Sequence, residues 1–161
     1  MQIDLIKSKI YLLPDLLRAV HVWKFKGDKI VFTNGCFDLI HPGHIHTLTS
    51  AADFGKKLIV ALNTDSSVKK LKGSSRPLQN ENSRALIMAS FDFVDAIILF
   101  NEETPIELIK SIQPDVLVKG GDYKKENIVG NTEMLSWNGS IEVIPFLKGF
   151  STSSIEEKIR K

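Results

Sequence analysis

The chain has 161 residues, a formal net charge of +2, and 43% hydrophobic residues. It can bury one real core, is too weakly charged to argue for nucleic acid, and has no apolar run near the ~18 residues of a membrane helix. Its one cysteine, Cys36, excludes an internal disulfide and suits a reducing cytoplasm, and the first fifteen residues lack the apolar stretch of a signal peptide.

In chain order, Leu16, Leu17, Val20 and Trp23 between Pro14 and Lys26 predict a leading amphipathic helix, closed by Gly27. Five short β-branched runs follow, at 29–33 (KIVFT), 57–62 (KLIVAL), 94–100 (VDAIILF), 115–119 (DVLVK) and 140–145 (SIEVIP). Between them, apolar residues recur three or four apart, as in 82–91 and 105–112. Gly55 closes a helix that begins near Pro42, Thr104 and Pro105 read as an N-cap and first helical position, and Pro114 ends that helix. Nearly continuous apolar strands alternating with helices predict an α/β fold. It is a doubly wound, Rossmann-like parallel sheet of about five strands, with helices on both faces. The expected organisation is a leading segment, 1–27, packed on a domain spanning 28–161, one domain overall.

Ligands of open α/β sheets bind beyond the carboxyl ends of the strands. Four unusual stretches fall there: TNGCFDLIHPGHIH (33–46), NTD (63–65), KGGDY (119–123) and GFSTSS (149–154). The loop LKGSSRPLQN (71–80) joins them, with Lys69, Lys70, Lys72 and Arg76 forming either a solvated helix end or an anion clamp.

Three of the four histidines lie at 41, 44 and 46. A zinc site needs about three ligands, and no cysteine or carboxylate of familiar spacing accompanies them. A plain helix start explains Pro42 but not Gly43, since glycine in a helix has a cost of up to ~1 kcal/mol relative to alanine. A phosphate site at the helix N-terminus explains both: glycine admits a ligand to the backbone, and His41 and His44, three apart, share one face.

GCFDLIHPGH resembles the signature of the HxGH, cytidylyltransferase-like nucleotidyltransferase superfamily. The segments VALNTDSSVKKLKGSSRP, PDVLVKGGDYKKENIVG and GFSTSSIEEKI extend the resemblance, over residues 10–160, to its heptose 1-phosphate adenylyltransferases. The resemblance implies transfer of AMP from ATP to D-glycero-β-D-manno-heptose 1-phosphate, yielding ADP-heptose for lipopolysaccharide core or a related glycan. It implies Mg²⁺ held through phosphates, with no protein metal ligand, and a cytoplasmic enzyme. With no kinase segment in the sequence, the stand-alone form is expected, with a separate heptose kinase upstream; a homodimer is common among relatives.

By the same resemblance, His41, His44, Lys72 and Arg76 are the catalytic set. Nucleotide contacts fall on Thr33, Asn34, Gly35, Cys36, Phe37 and Gly43, then on Lys119, Gly120 and Asp122, and finally on Ser151, Thr152 and Ser153. Asp38, Asn63 and Asp65 fall on the sugar-phosphate side. Each has a plainer reading. KGGDY makes a tight turn, Ser153 and Glu156 a capping box, Asp65 a helix cap, and Cys36 a small buried residue. Relatives often carry an arginine where Glu156 and Glu157 stand. A glycerol-3-phosphate cytidylyltransferase and a nucleotide-binding regulatory protein without catalysis remain alternatives. A dehydrogenase fits poorly because no G-x-G-x-x-G follows the first strand.

Overall fold

The computed structural model describes residues 1–160. The elements run α1 (Gln2–Lys7), β1 (Ile10–Tyr11), α2 (Leu13–Phe25), β2 (Ile30–Gly35), α3 (Pro42–Ala52), β3 (Lys57–Asn63), α4 (Asp65–Lys72) and α5 (Glu81–Ala89). They continue with β4 (Ala96–Phe100), α6 (Ile106–Ile112), β5 (Val116–Gly120), a 3-10 turn at Lys125–Asn127, α7 (Asn131–Ser136), β6 (Ser140–Ile144) and α8 (Thr152–Arg160). All strands are parallel, in the order β1-β4-β3-β2-β5-β6. The sheet therefore has six strands, not the five read from the sequence. The extra one is the two-residue β1, too short for any periodicity, which pairs Ile10 with Ile97 and Tyr11 with Ile98 at one edge.

Strand alternation divides the core between two faces. Ile30, Phe32, Ile59, Ala61 and Ile98 pack with Leu16 and Val20 of α2 and Ile109 of α6. Val31, Val60, Leu62 and Ile97 pack on the other side with Leu48 of α3 and Met88 of α5. Each fully buried aliphatic side chain contributes roughly 1.5–3 kcal/mol, so both helix layers are anchored. Of the residues expected inward on the leading helix, Leu16 and Val20 are buried, while Leu17 and Trp23 pack against the same cluster half-exposed. Gly55 is required where α3 hands over to β3, because a Cβ there would lie 2.7 Å from the Lys29 carbonyl oxygen.

Three helix starts differ from expectation. Pro105 is itself the N-cap of α6, without a side-chain bond. The helix α8 starts two residues early, capped by Ser151, whose hydroxyl accepts from the Ser154 N–H at 3.1 Å. Thr64 caps α4 in place of Asp65. After β2 the chain winds to one side through β3 and β4, then returns to β5 on the other. The switch point thus opens between β2 and β5, and the carboxyl ends of both strands face it.

Candidate active site

The site begins where β2 ends. Phe37 sits at φ 47°, a left-handed conformation unusual for a bulky residue. Gly35 accommodates it, since a Cβ at 35 would lie 2.8 Å from the Phe37 ring. His41 then caps α3 in extended conformation, Pro42 takes the first helical position, and the His44 N–H closes the turn on the His41 carbonyl at 2.9 Å. The imidazoles of His41 and His44 stack, with centroids 3.8 Å apart and an interplanar angle of 24°. Phe37 meets His44 edge-on at 5.1 Å. A Cβ at position 43 would lie 3.0 Å from the His41 ring. Gly43 therefore makes room first for the histidine pair, beyond the ligand approach inferred from the sequence.

Burial lowers the His44 pKa to about 4, helped by the charges of His41 and Lys72 and opposed by the Leu39 backbone. Burial also lowers that of His41. Both rings are neutral near pH 7, and each can donate one N–H. Their Nδ1 atoms are buried with no hydrogen-bond partner among the described residues. An unpaired buried polar atom costs about 1–3 kcal/mol, and function is a common reason for retaining one.

The pair lines a cavity of ≈ 560 Å³. From the sequence-derived set, Thr33, Asn34, Gly35, Cys36, Phe37 and Asp38 also line it, as do Gly43, Lys72, Lys119, Gly120, Ser151 and Thr152. Thr47, one turn beyond His44, lines it too. So does the aromatic approach to the serine stretch, Phe146 to Phe150. Both were legible in principle, Thr47 from its i+3 spacing to His44 and Phe146 and Phe150 from their place beside GFSTSS.

Several expected residues lie elsewhere. The Arg76 guanidinium donates to Asp38 at 2.5 Å and pairs with Glu156 of α8. Burial pushes the Asp38 carboxyl up, but the backbone N–H groups of Gln79 and Leu78, with Arg76, more than offset this and hold it below the ordinary range. Asp65 pairs with Arg84 at 2.8 Å. Asp122 and Ser153 are exposed and line no described cavity, and Asn63 lines a second, adjoining one. His46 points to solvent. The sequence reading missed Arg84, which is fully buried and donates to the carbonyls of Cys36 at 2.7 Å and Gln79 at 3.0 Å. Its only signal was an arginine in line with Met88 on the inner face of α5. Burial raises the Cys36 thiol pKa against the nearby cations of Lys72 and Arg84, so this cysteine is not an activated nucleophile. Among the described residues no three His, Cys, Asp or Glu side chains gather as a metal-ligand set, and no helix is long and apolar enough to cross a membrane.

The model of the cytidylyltransferase-like family matches residues 32–158, from β2 into α8. The chain belongs to the cytidylyltransferase-like family. It is a nucleotidyltransferase by that membership, and the histidine turn lies at the start of the matched region. The chain is 47% identical over 152 residues to the bifunctional protein HldE of Koribacter versatilis, covering 94% of this chain and 31% of that protein. It is 49% identical over 153 residues to the bifunctional protein HldE of Geotalea uraniireducens, covering 95% and 31%. It thus spans about a third of the length of these relatives. The fold also matches a crystal structure of the lipopolysaccharide core biosynthesis protein from Thermoplasma volcanium, with a TM-score of 0.61 and 24% identity. That match covers 77% of this chain and 100% of the other.

Proposed function

We propose that this cytidylyltransferase-like chain transfers AMP from ATP to D-glycero-β-D-manno-heptose 1-phosphate. The observation that carries the reading is the neutral, stacked His41–His44 pair on the first turn of α3, facing a cavity closed by cations and hydroxyls. The similarity to the HldE proteins directs the choice of acceptor and of ATP.

A phosphate oxygen of the acceptor attacks the α-phosphorus in line. The new P–O bond forms as the bond to the β-phosphate breaks, and pyrophosphate departs with the electron pair. No general base is required, because a sugar phosphate is already an anion. Charge builds on the α-phosphoryl oxygens, and the imidazole N–H groups supply fixed donors where it builds. Neutral rings can fill this role, because each keeps one N–H that donates a hydrogen bond and is not released near pH 7. Lys72 and the hydroxyls of Ser151 and Thr152 hold the leaving phosphates. Mg²⁺ arrives as part of the MgATP substrate. Asp38, the one carboxylate on the cavity wall, is already held by Arg76 and two backbone N–H groups, so phosphates and water supply the metal's ligands. A heptose kinase would supply the acceptor.

The test is Mg²⁺-dependent pyrophosphate release with ATP or CTP crossed against heptose 1-phosphate or glycerol 3-phosphate. Release with ATP and heptose 1-phosphate alone is the expected result. Release only with CTP and glycerol 3-phosphate would overturn the substrates and keep the reaction class. Nucleotide binding without release in any combination would favour a regulatory protein.

A further inference from the structure

The cavity wall formed by Ser151 and Thr152 has a charged neighbour that the transfer step leaves unused. Between β6 and α8 the chain turns tightly at Lys148 and Gly149. Gly149 sits at φ 87°, a left-handed conformation that suits glycine. The turn brings the following segment back onto the histidine turn, because a Cβ at Gly43 would lie 3.6 Å from the Cβ of Phe150. Lys148 lines the same cavity as Ser151 and Thr152.

Three lysines border this cavity, and their circumstances differ. Lys119, at the end of β5, donates to Asn34 at 3.3 Å, and burial lowers its pKa. Lys72 serves the inner end, where its charge reaches both His44 and Cys36. Lys148 stands exposed on its turn, and among the described residues its ammonium has neither a hydrogen-bond nor an ion-pair partner. Arg76, the other cation assigned to phosphate from the sequence, is committed to Asp38 and Glu156 and does not line the cavity. On the α8 side, the cation ready to meet an anion is therefore Lys148.

With the α-phosphate at the imidazole pair, the β- and γ-phosphates extend towards the start of α8. The hydroxyls of Ser151 and Thr152 can hydrogen-bond to them but carry no charge. A triphosphate is more negative than one Mg²⁺ can neutralise, so this end of the cavity calls for a cation.

We propose that Lys148 is a further catalytic residue, whose ammonium binds the β- and γ-phosphates and then the departing pyrophosphate. The inference rests on the transfer reaction proposed above. As the bond from the α-phosphorus to the bridging oxygen breaks, its electron pair stays on that oxygen and the pyrophosphate gains negative charge. A cation already beside it is attracted more strongly at that moment, so Lys148 lowers the barrier as well as binding the nucleotide, and no proton moves. Lysine suits the task because its flexible four-carbon stem can follow the leaving group outward.

The experiment combines calorimetric titration of pyrophosphate, a non-hydrolysable ATP analogue and AMP with steady-state kinetics of pyrophosphate release from MgATP. The variants are Lys148→Ala, Lys148→Arg and Lys148→Glu. The position is exposed on a turn, so all of them should fold, which circular dichroism checks. Lys148→Ala should raise the Kd of pyrophosphate and of the ATP analogue about tenfold, the loss of one charge-assisted hydrogen bond, and leave that of AMP within about twofold. It should also lower kcat about tenfold, through the lost stabilisation of the leaving group. Lys148→Glu should be worse in each respect, and Lys148→Arg should recover most of the loss. Unchanged constants in both Lys148→Ala and Lys148→Glu, with turnover intact, would overturn the assignment and leave the transfer reaction standing. An equal loss of AMP affinity would also overturn it, by showing that the turn supports the nucleoside instead. A wild-type protein that binds pyrophosphate and the ATP analogue through Lys148, yet releases no pyrophosphate with any sugar phosphate, would support the phosphate contact and overturn the reaction.

Discussion

The first turn of α3 and the loop at 71–80 face one another across the Asp38 segment, and they are held by different forces. The α3 turn is set by packing. Leu48 and Ala51 are fully buried beneath it, Phe37 abuts His44, and the two imidazoles stack. The loop is held by charge. Arg76 bridges Asp38 and Glu156, the N–H groups of Leu78 and Gln79 donate to Asp38, and Leu71 and Leu78 remain exposed. Packed apolar contacts keep their geometry when a ligand arrives, whereas a guanidinium shared between two carboxylates can exchange one of them for another anion. The histidine turn is therefore the preorganised half of the site and the loop is the adjustable half. Arg76 can act on a phosphate only by leaving Glu156.

The contrast breaks most sharply at Arg84, whose guanidinium ties Cys36, Gln79 and Asp65 and so joins the two halves. Arg84→Ala strands these groups in a buried setting, and urea denaturation should show a loss of about 3–5 kcal/mol. A change below about 1 kcal/mol would mean that the two halves stand independently. His44→Ala touches only the preorganised half. It should reduce kcat by ~10²–10³-fold, as expected for losing a donor to developing charge, while the thermal midpoint falls only modestly, the lost packing on His41 and Phe37 being partly offset by removal of an unpaired buried nitrogen. A kcat near wild type would take His44 out of the chemistry.

Acid should distinguish the halves next. The His44 pKa falls from 6.5 unfolded to about 4 folded, so protons bind the unfolded state first. Its contribution to stability is complete above pH 6.5 and is lost as pH falls from 6.5 towards 4. Asp38, held below its ordinary value, gives up its own contribution only at lower pH. Urea midpoints between pH 7 and 4 should decline in the wild type and decline less in His44→Asn; parallel curves would show that His44 is not the group responsible. The smallest effect belongs to Glu156→Gln. Stability should move by less than about 1 kcal/mol, and nucleotide affinity should rise as Arg76 is released. A fall in affinity would show that the Arg76–Glu156 pair supports the site.

What the sequence made legible was local. The HPGH turn, the strand runs and the switch-point loops each fit within a dozen residues, so periodicity and spacing suffice to place them. β1 escaped because two residues carry no period, and only pairing with β4 makes them a strand. The partners of Asp65 and Arg76 escaped for a different reason. Ion pairs such as Arg84–Asp65 and Arg76–Glu156 join positions whose proximity is decided by packing. Glu156 was noticed as a departure from an expected basic residue. Its effect became visible only when α8 brought it onto Arg76.

The most direct measurement is ³¹P NMR of the wild-type protein with MgATP and D-glycero-β-D-manno-heptose 1-phosphate. Equal amounts of pyrophosphate and a new sugar-linked diphosphate ester are the predicted products. Formation of ADP and inorganic phosphate, or an unchanged spectrum with ATP bound, would contradict the nucleotidyl transfer on which the account rests.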